Sequence, residues 1–139
     1  METLNSIGFV NFWGMTPAFD ILNNEYDSTK KSINTLISNS NDIRHILKTI
    51  SNSYEKKDNF QQNTNLNFYV YETFKENHAR TILLFHILHD RSVAIRDRVE
   101  ILMEVYGNTL LSSRTAEYIN NSYKELLKFI TNNYKYSAL

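Results

Sequence analysis

The apolar positions change their period along the chain. Within Ser32–Ile37, Ile33, Thr35 and Ile37 alternate with Asn34 and Leu36, the two-residue period of a strand. Ser38-Asn-Ser-Asn-Asp42 then supplies turn residues. Ile43, Ile46, Leu47 and Ile50 recur on one helical face, with Asp42 placed to cap it. Ser51–Asn65 is polar and reads as an extended or disordered loop. Leu66–Tyr71, aromatic and β-branched, is a second strand. Thr73-x-x-Glu76 has the form of a capping box and predicts a helix running to about His89. Phe74, Ile82, Leu83, Phe85, Ile87 and Leu88 spread over more than one of its faces, which implies deep burial of its second half. A third helix, Val93–Tyr106, carries Ile95, Val99, Leu102, Met103 and Tyr106 on one stripe. Arg96 and Glu100 pair on its other side, and Gly107 is the natural residue just past its end. A last helix, Arg114–Asn132, holds Ala116, Ile119, Tyr123, Leu126, Leu127 and Ile130 in register.

The order strand, helix, strand, helix, helix, helix predicts an α/β fold with a small, mostly parallel sheet and a helix-rich C-terminal half. Two strands joined through a helix run parallel with a right-handed crossover. Parallel sheets are normally covered on both faces, so further strands are expected. They would come from the lead-in, or from a longer protein of which this chain is a fragment or reduced version. A chain of 139 residues fits a single domain spanning 1–139.

The lead-in Gly8–Asp20 concentrates the rare residues: the only Trp, the only Pro and two of the three glycines. Pro17 after Thr16 suits the start of a short helix reaching Leu22, with the Thr hydroxyl as its cap. Phe12, Trp13, Gly14, Pro17 and Asp20 form the signature of a structural or docking element, serving as cover for one sheet face or as an exposed patch for a client.

Composition narrows the function. Fifteen basic and fifteen acidic residues give zero net charge, without the basic excess of a nucleic-acid binder. Cysteine is absent, which removes disulfides, thiolate metal sites and cysteine nucleophiles. The longest apolar run, Ile82-Leu-Leu-Phe85, is too short to span a bilayer. A soluble intracellular protein is expected. His78, His86 and His89 share one helix, but no acid completes a metal set on their face. No serine lies in a nucleophile elbow. Arg91, Arg96 and Arg98 interleave with Asp90, Asp97 and Glu100, the pattern of a solvated ion-pair face.

Four segments resemble the N-terminal domain of the dynein axonemal assembly factor 3 family. They are Phe12-Trp-Gly-Met-Thr-Pro-Ala-Phe-Asp20; Asp42-Ile-Arg-His-Ile-Leu-Lys-Thr-Ile50; Asn67-Phe-Tyr-Val-Tyr-Glu72 running on to Ala79-Arg80 and Ile82–Phe85; and Glu104-Val-Tyr-Gly-Asn-Thr-Leu-Leu111. They occur in family order and span most of the chain. The resemblance implies cytoplasmic pre-assembly of axonemal dynein arms for cilia and flagella. Axonemal dynein chains and other assembly factors or chaperones would be the partners, with no nucleic acid and no membrane. It also implies a partial Rossmann-like, methyltransferase-like three-layer unit. The alternative function is therefore an S-adenosylmethionine-dependent methyltransferase acting on dynein subunits.

In such folds a glycine-rich turn after the first strand approaches the cofactor, and an acid after the second strand accepts ribose hydroxyls. Asn39, Asp42 and Glu72 stand at those places. The turn contains no glycine, and the positions matching the family's glycines hold Asn39 and Ile43. Asn tolerates a left-handed φ, whereas a branched Ile does not replace Gly. Glu72 is equally an acid at a helix N-terminus, favoured there by the helix dipole. The expectation is a protein-binding assembly module with no catalytic residue and no cofactor of its own.

Overall fold

The computed structural model describes residues 14, 16–23, 31–40, 42–55 and 64–136. The elements are β1 (Ser32–Ser38), α1 (Arg44–Glu55), β2 (Asn65–Tyr71), α2 (Lys75–His89), α3 (Ile95–Gly107) and α4 (Ser113–Tyr136). The order is the one the periodicity predicts. The chain divides into two compact units, with the boundary between Thr81 and Ile82 inside α2.

In the first unit β1 and β2 pair in parallel, in unbroken register from Ser32 opposite Asn65 to Ser38 opposite Tyr71. Bonds from Asn65 N–H to the Lys31 carbonyl (3.0 Å) and from Asn39 N–H to the Tyr71 carbonyl (2.8 Å) bracket the ladder. Side chains alternate between faces, as the strand period requires. Ile33, Thr35, Ile37, Leu66, Phe68 and Val70 are buried or half-buried, whereas Asn34, Leu36, Asn67, Tyr69 and Tyr71 are exposed. Among the described residues the sheet has two strands. The lead-in residues through Trp13, which the sequence offers as a further strand or cover, lie outside the described residues.

Three local expectations are corrected here. Residues 17–22 are not helical: Gly14 and residues 16–20 are irregular, and a turn follows at residues 21–23. The backbone groups in this segment are bonded to α1 side chains, which removes the need for a helix of its own. Residues 51–55, read as loop, extend α1 to Glu55, where the Ser53 hydroxyl bonds back to the Ile50 carbonyl at 2.7 Å. Thr73 does not form a capping box; its hydroxyl donates to Asn39 Oδ1.

In the second unit the second half of α2 is deeply buried at Leu84 and Ile87, as the sequence implies. The face of α3 is the largest correction. Ile95, Val99 and Met103, expected in the core, are exposed, and the buried residue is Ile101. The less exposed face runs through Arg98, Ile101, Leu102 and Val105 at i, i+3, i+4, i+7. A hydrophobicity pattern skips Arg98, yet its Nη1 donates to the Leu88 carbonyl at 2.8 Å near the end of α2. The long aliphatic stem lets an arginine sit on such a seam. Gly107 is the last residue of α3 and does not end it in a left-handed turn. Instead Asn108, in extended conformation, donates its N–H to the Glu104 carbonyl.

Ser112 caps α4, its hydroxyl accepting the Thr115 N–H and its carbonyl the Ala116 N–H. Thr115 and Ser122 are buried on α4, whereas Tyr123 and Leu127 of the expected apolar register are exposed.

Candidate functional site

Two constellations meet around the N-terminus of α1. The first begins with Asp42, whose side chain is fully buried. One carboxylate oxygen accepts the Arg44 N–H at 2.9 Å, capping α1 as the sequence predicts. The other accepts Arg44 Nε at 2.7 Å. The guanidinium then turns to the lead-in, where Nη2 donates to the carbonyls of Gly14 (2.8 Å) and Thr16 (3.1 Å). The planar fork of arginine suits one carboxylate and two carbonyls together.

Gly14 and residues 16–23 run along α1 from there. Phe19 N–H donates to His45 Nδ1 at 3.3 Å, and the two rings lie 4.2 Å apart, centroid to centroid. That bond requires Nδ1 of His45 to be unprotonated. Ile21 N–H donates to Thr49 Oγ1 at 2.9 Å, and the same hydroxyl donates to the His45 carbonyl at 2.8 Å. Thr49 is fully buried, and its hydroxyl gives the Ile21 N–H an acceptor away from water. Asp20 closes the segment, accepting the Leu22 N–H with one oxygen and the Asn52 amide with the other, each at 3.0 Å. Asn23, at φ 40°, follows as the left-handed turn residue and donates to the Asp20 carbonyl. An open hollow of about 490 Å³ lies beside Phe19, Asp20 and Asn52.

The second constellation joins the C-terminal ends of the strands. Asn39 takes φ 50°, the left-handed region that its side chain tolerates. Its Oδ1 accepts both the N–H and the hydroxyl of Thr73, each at 2.9 Å. Glu72 is 4% exposed, and His78 Nε2 lies 3.1 Å from its carbonyl and 3.3 Å from its N–H. The three cofactor candidates therefore sit in closed arrangements. Asn39 latches β1 to the segment after β2, Asp42 holds Arg44, and Glu72 is buried. Of the docking signature, Gly14, Pro17 and Asp20 are described and Pro17 is exposed, whereas Phe12 and Trp13 lie outside the described residues.

The second unit has its own polar ties. Asp90 accepts the Ser92 N–H (2.9 Å), the Ser92 hydroxyl (2.6 Å) and the Tyr118 hydroxyl (2.9 Å). The Ser92 hydroxyl above all holds the Asp90 carboxyl below the ordinary carboxylate range. Burial, then the bond to Asp90, pushes the Tyr118 phenol up to about 12. The expected Arg96–Glu100 pair is present at 3.2 Å. Arg114 adds ion pairs to Asp97 (2.8 Å) and Glu100 (3.6 Å). Beside them, Met103, Glu104, Asn108 and Arg114 line an open cleft of about 560 Å³. Glu104 is held below its ordinary value by the Thr115 hydroxyl and then by Ser112. Among the described residues no group of three His, Cys, Asp or Glu side chains converges on a metal-sized space.

The engagement of Arg44, His45, Thr49 and Asn52 with the lead-in escapes the sequence reading. The available signal is a run of polar residues at positions 44, 45, 49 and 52 on a helix whose other face is apolar.

Residues 12–111, well over half the chain and including both constellations, match the family described as "Domain of unknown function (DUF4470)". The chain belongs to this family. The DUF4470 match begins at Phe12, two residues before the Gly14 carbonyl held by Arg44, and ends at Leu111 before the cap of α4. The chain is similar to Dynein axonemal assembly factor 3 of Danio rerio, 31% identical over 134 residues, covering 94% of this chain and 27% of the relative. It is also similar to the Homo sapiens protein of that name, 28% identical over 127 residues (83% and 23%). The Dynein axonemal assembly factor 3 homolog of Chlamydomonas reinhardtii is 30% identical over 127 residues (84% and 18%). The resemblance read from the four segments thus stands. The DUF4470 chain spans about a quarter or less of the length of these relatives. No solved structure matches it. Among the described residues no helix is long and apolar enough to cross a membrane.

Proposed function

We propose that this chain is a protein-binding module of a dynein axonemal assembly factor, acting in the cytoplasm in the pre-assembly of axonemal dynein arms. Its partners in this reading are axonemal dynein chains and other assembly factors or chaperones. The module corresponds to an N-terminal domain of such a factor and has a partial Rossmann-like layout of strand, crossover helix and strand.

One observation carries the reading. The segment shared with assembly factors in the sequence resemblance is fastened along α1 at Gly14, Thr16, Phe19 and Asp20 by Arg44, His45 and Asn52, while its Pro17 and Phe19 side chains are left exposed. A segment held in place largely through its backbone, with Pro17 and Phe19 still presented to solvent, suits recognition of another protein. The closed state of Asn39, Asp42 and Glu72 favours this reading over the methyltransferase one, because each of these groups is engaged within the chain or buried.

Affinity capture of the tagged chain from the cytoplasm of ciliating cells tests the reading. Enrichment of axonemal dynein chains, reduced by Pro17→Asp/Phe19→Asp in a variant that keeps its circular dichroism, is the expected result. Absence of dynein chains from the capture of a folded protein overturns it. Saturable heat on titration with S-adenosylmethionine, weakened by Glu72→Gln, would instead favour the enzyme.

A further inference from the structure

The Thr16 hydroxyl has no task in the fold. The sequence assigns it to the cap of a short helix at 17–22, but those residues are not helical, so it caps nothing. The residue is exposed, and among the described residues its hydroxyl makes no hydrogen bond. Thr73, Ser92 and Ser112 are exposed as well, yet their hydroxyls are bonded to Asn39, Asp90 and Glu104. Only the backbone of Thr16 is tied, its carbonyl accepting Arg44 Nη2 at 3.1 Å. Gly14 sets no side chain beside the hydroxyl, where a Cβ would stand 3.9 Å from Oγ1.

The next residue is Pro17, which is exposed and is the only proline of the chain. Thr16 is therefore the only serine or threonine followed by proline. A proline after the acceptor has no N–H to be left unpaired, which suits the apolar pocket that a proline-directed kinase offers to that residue. Such a kinase also needs its acceptor on surface chain clear of helix and ladder bonds, because the segment has to enter a cleft. Gly14 and residues 16–20 are irregular. Their ties to Arg44 and His45 start from the carbonyls of Gly14 and Thr16 and the N–H of Phe19, and none involves the Thr16 hydroxyl.

We infer that Thr16 is a phosphorylation site, modified by a proline-directed serine/threonine protein kinase with ATP as the donor. The bond from Oγ1 to the γ-phosphorus forms and the bond from that phosphorus to the β,γ-bridging oxygen breaks. ADP leaves, and the hydroxyl proton passes to a carboxylate base of the kinase. The product carries a charge of about −1.5 to −2 at pH 7. The Arg44 guanidinium, already on the carbonyl of the same residue, attracts it. The new charge also adjoins Pro17 and lies three residues from Phe19, both exposed. An apolar contact made through those side chains would have to strip water from a dianion, so phosphorylation releases the partner. This consequence rests on the proposed function, whereas the modification itself does not.

Phosphate mapping by mass spectrometry tests the site without any partner. The full tagged chain is recovered from ciliating cells under phosphatase inhibition. In parallel the purified, folded chain is incubated with ATP and a mitogen-activated protein kinase as the probe. Phosphate on Thr16 is expected in both. Thr16→Val abolishes it, Thr16→Ser restores it, and Pro17→Ala lowers kcat/KM of the probe kinase at least about tenfold. These side chains are exposed, and unchanged circular dichroism shows that the variants fold. An unmodified Thr16 in the chain from cells, or incorporation by the probe kinase that is indifferent to Thr16→Val or Pro17→Ala, overturns the assignment. Dynein capture with the phosphorylated chain then reads the consequence separately, as a loss relative to the unmodified chain.

Discussion

Arg44 Nε donates to Asp42 Oδ2 at 2.7 Å, and through this pair the cap of α1 and the anchor of the lead-in become one structure. The Asp42 side chain is fully buried and its arginine partner only partly exposed. Removing one member of such a pair leaves an uncompensated charge inside the unit. Arg44→Ala should therefore destabilise the chain by about 2–4 kcal/mol in urea denaturation. Arg44→Lys should recover little of it, because an ammonium does not reproduce the fork that reaches Asp42, Gly14 and Thr16 together.

Thr49 supplies the acceptor for the Ile21 N–H. Thr49→Val keeps the shape and removes the hydroxyl, at a cost of about 1–2 kcal/mol. Exchange at the Ile21 amide should accelerate in Thr49→Val and stay slow in Thr49→Ser, which retains the oxygen. Equal exchange in the two variants would show that the hydroxyl does not hold the segment.

Asn39 serves two needs, a left-handed φ and the latch on Thr73. The substitutions separate them. Asn39→Gly keeps the backbone conformation and loses the latch, a loss of about 1 kcal/mol. Asn39→Ala loses the latch and also strains the turn, for a total of about 2 kcal/mol. Thermal or urea unfolding of the three proteins should rank them Asn, Gly, Ala.

Tyr118 and Asp90 give unfolding a pH dependence at both extremes, the phenol raised first by burial and the carboxyl lowered first by the Ser92 hydroxyl. The phenol is raised to about 12 in the folded chain, against about 10 when unfolded. Its contribution is present below about pH 10 and is lost as pH rises through about 12. Asp90 is lowered, so its contribution is present above the unfolded carboxylate value and is lost as pH falls through the folded one. Tyr118→Phe should cost about 1 kcal/mol near neutrality. It should also abolish the alkaline part of the pH dependence, read from urea midpoints across a pH series.

Much of the fold is legible in local sequence. Alternation in Ser32–Ile37 and the aromatic run Leu66–Tyr71 mark the two strands, and Asp42 marks the start of α1. The Arg96–Glu100 pair follows from its spacing alone. The same method misplaces the buried face of α3, because the seam passes through Arg98, a residue that any hydrophobicity count assigns to water. It also gives the Thr73 hydroxyl to the wrong partner. The cap motif is local and visible in the chain, whereas Asn39, which wins, is 34 residues away.

The chain by itself determined its elements, their order and the cap of its first helix, because those depend on neighbours within about one helical turn or along one strand. Tertiary structure alone decided how the lead-in is held, which face of α3 is buried and where Asn39 and Arg44 direct their bonds. The lead-in contacts join residues 26 to 32 positions apart. At such separations the choice of partner depends on which orphaned backbone group the folded chain brings within reach, a fact that periodicity does not encode.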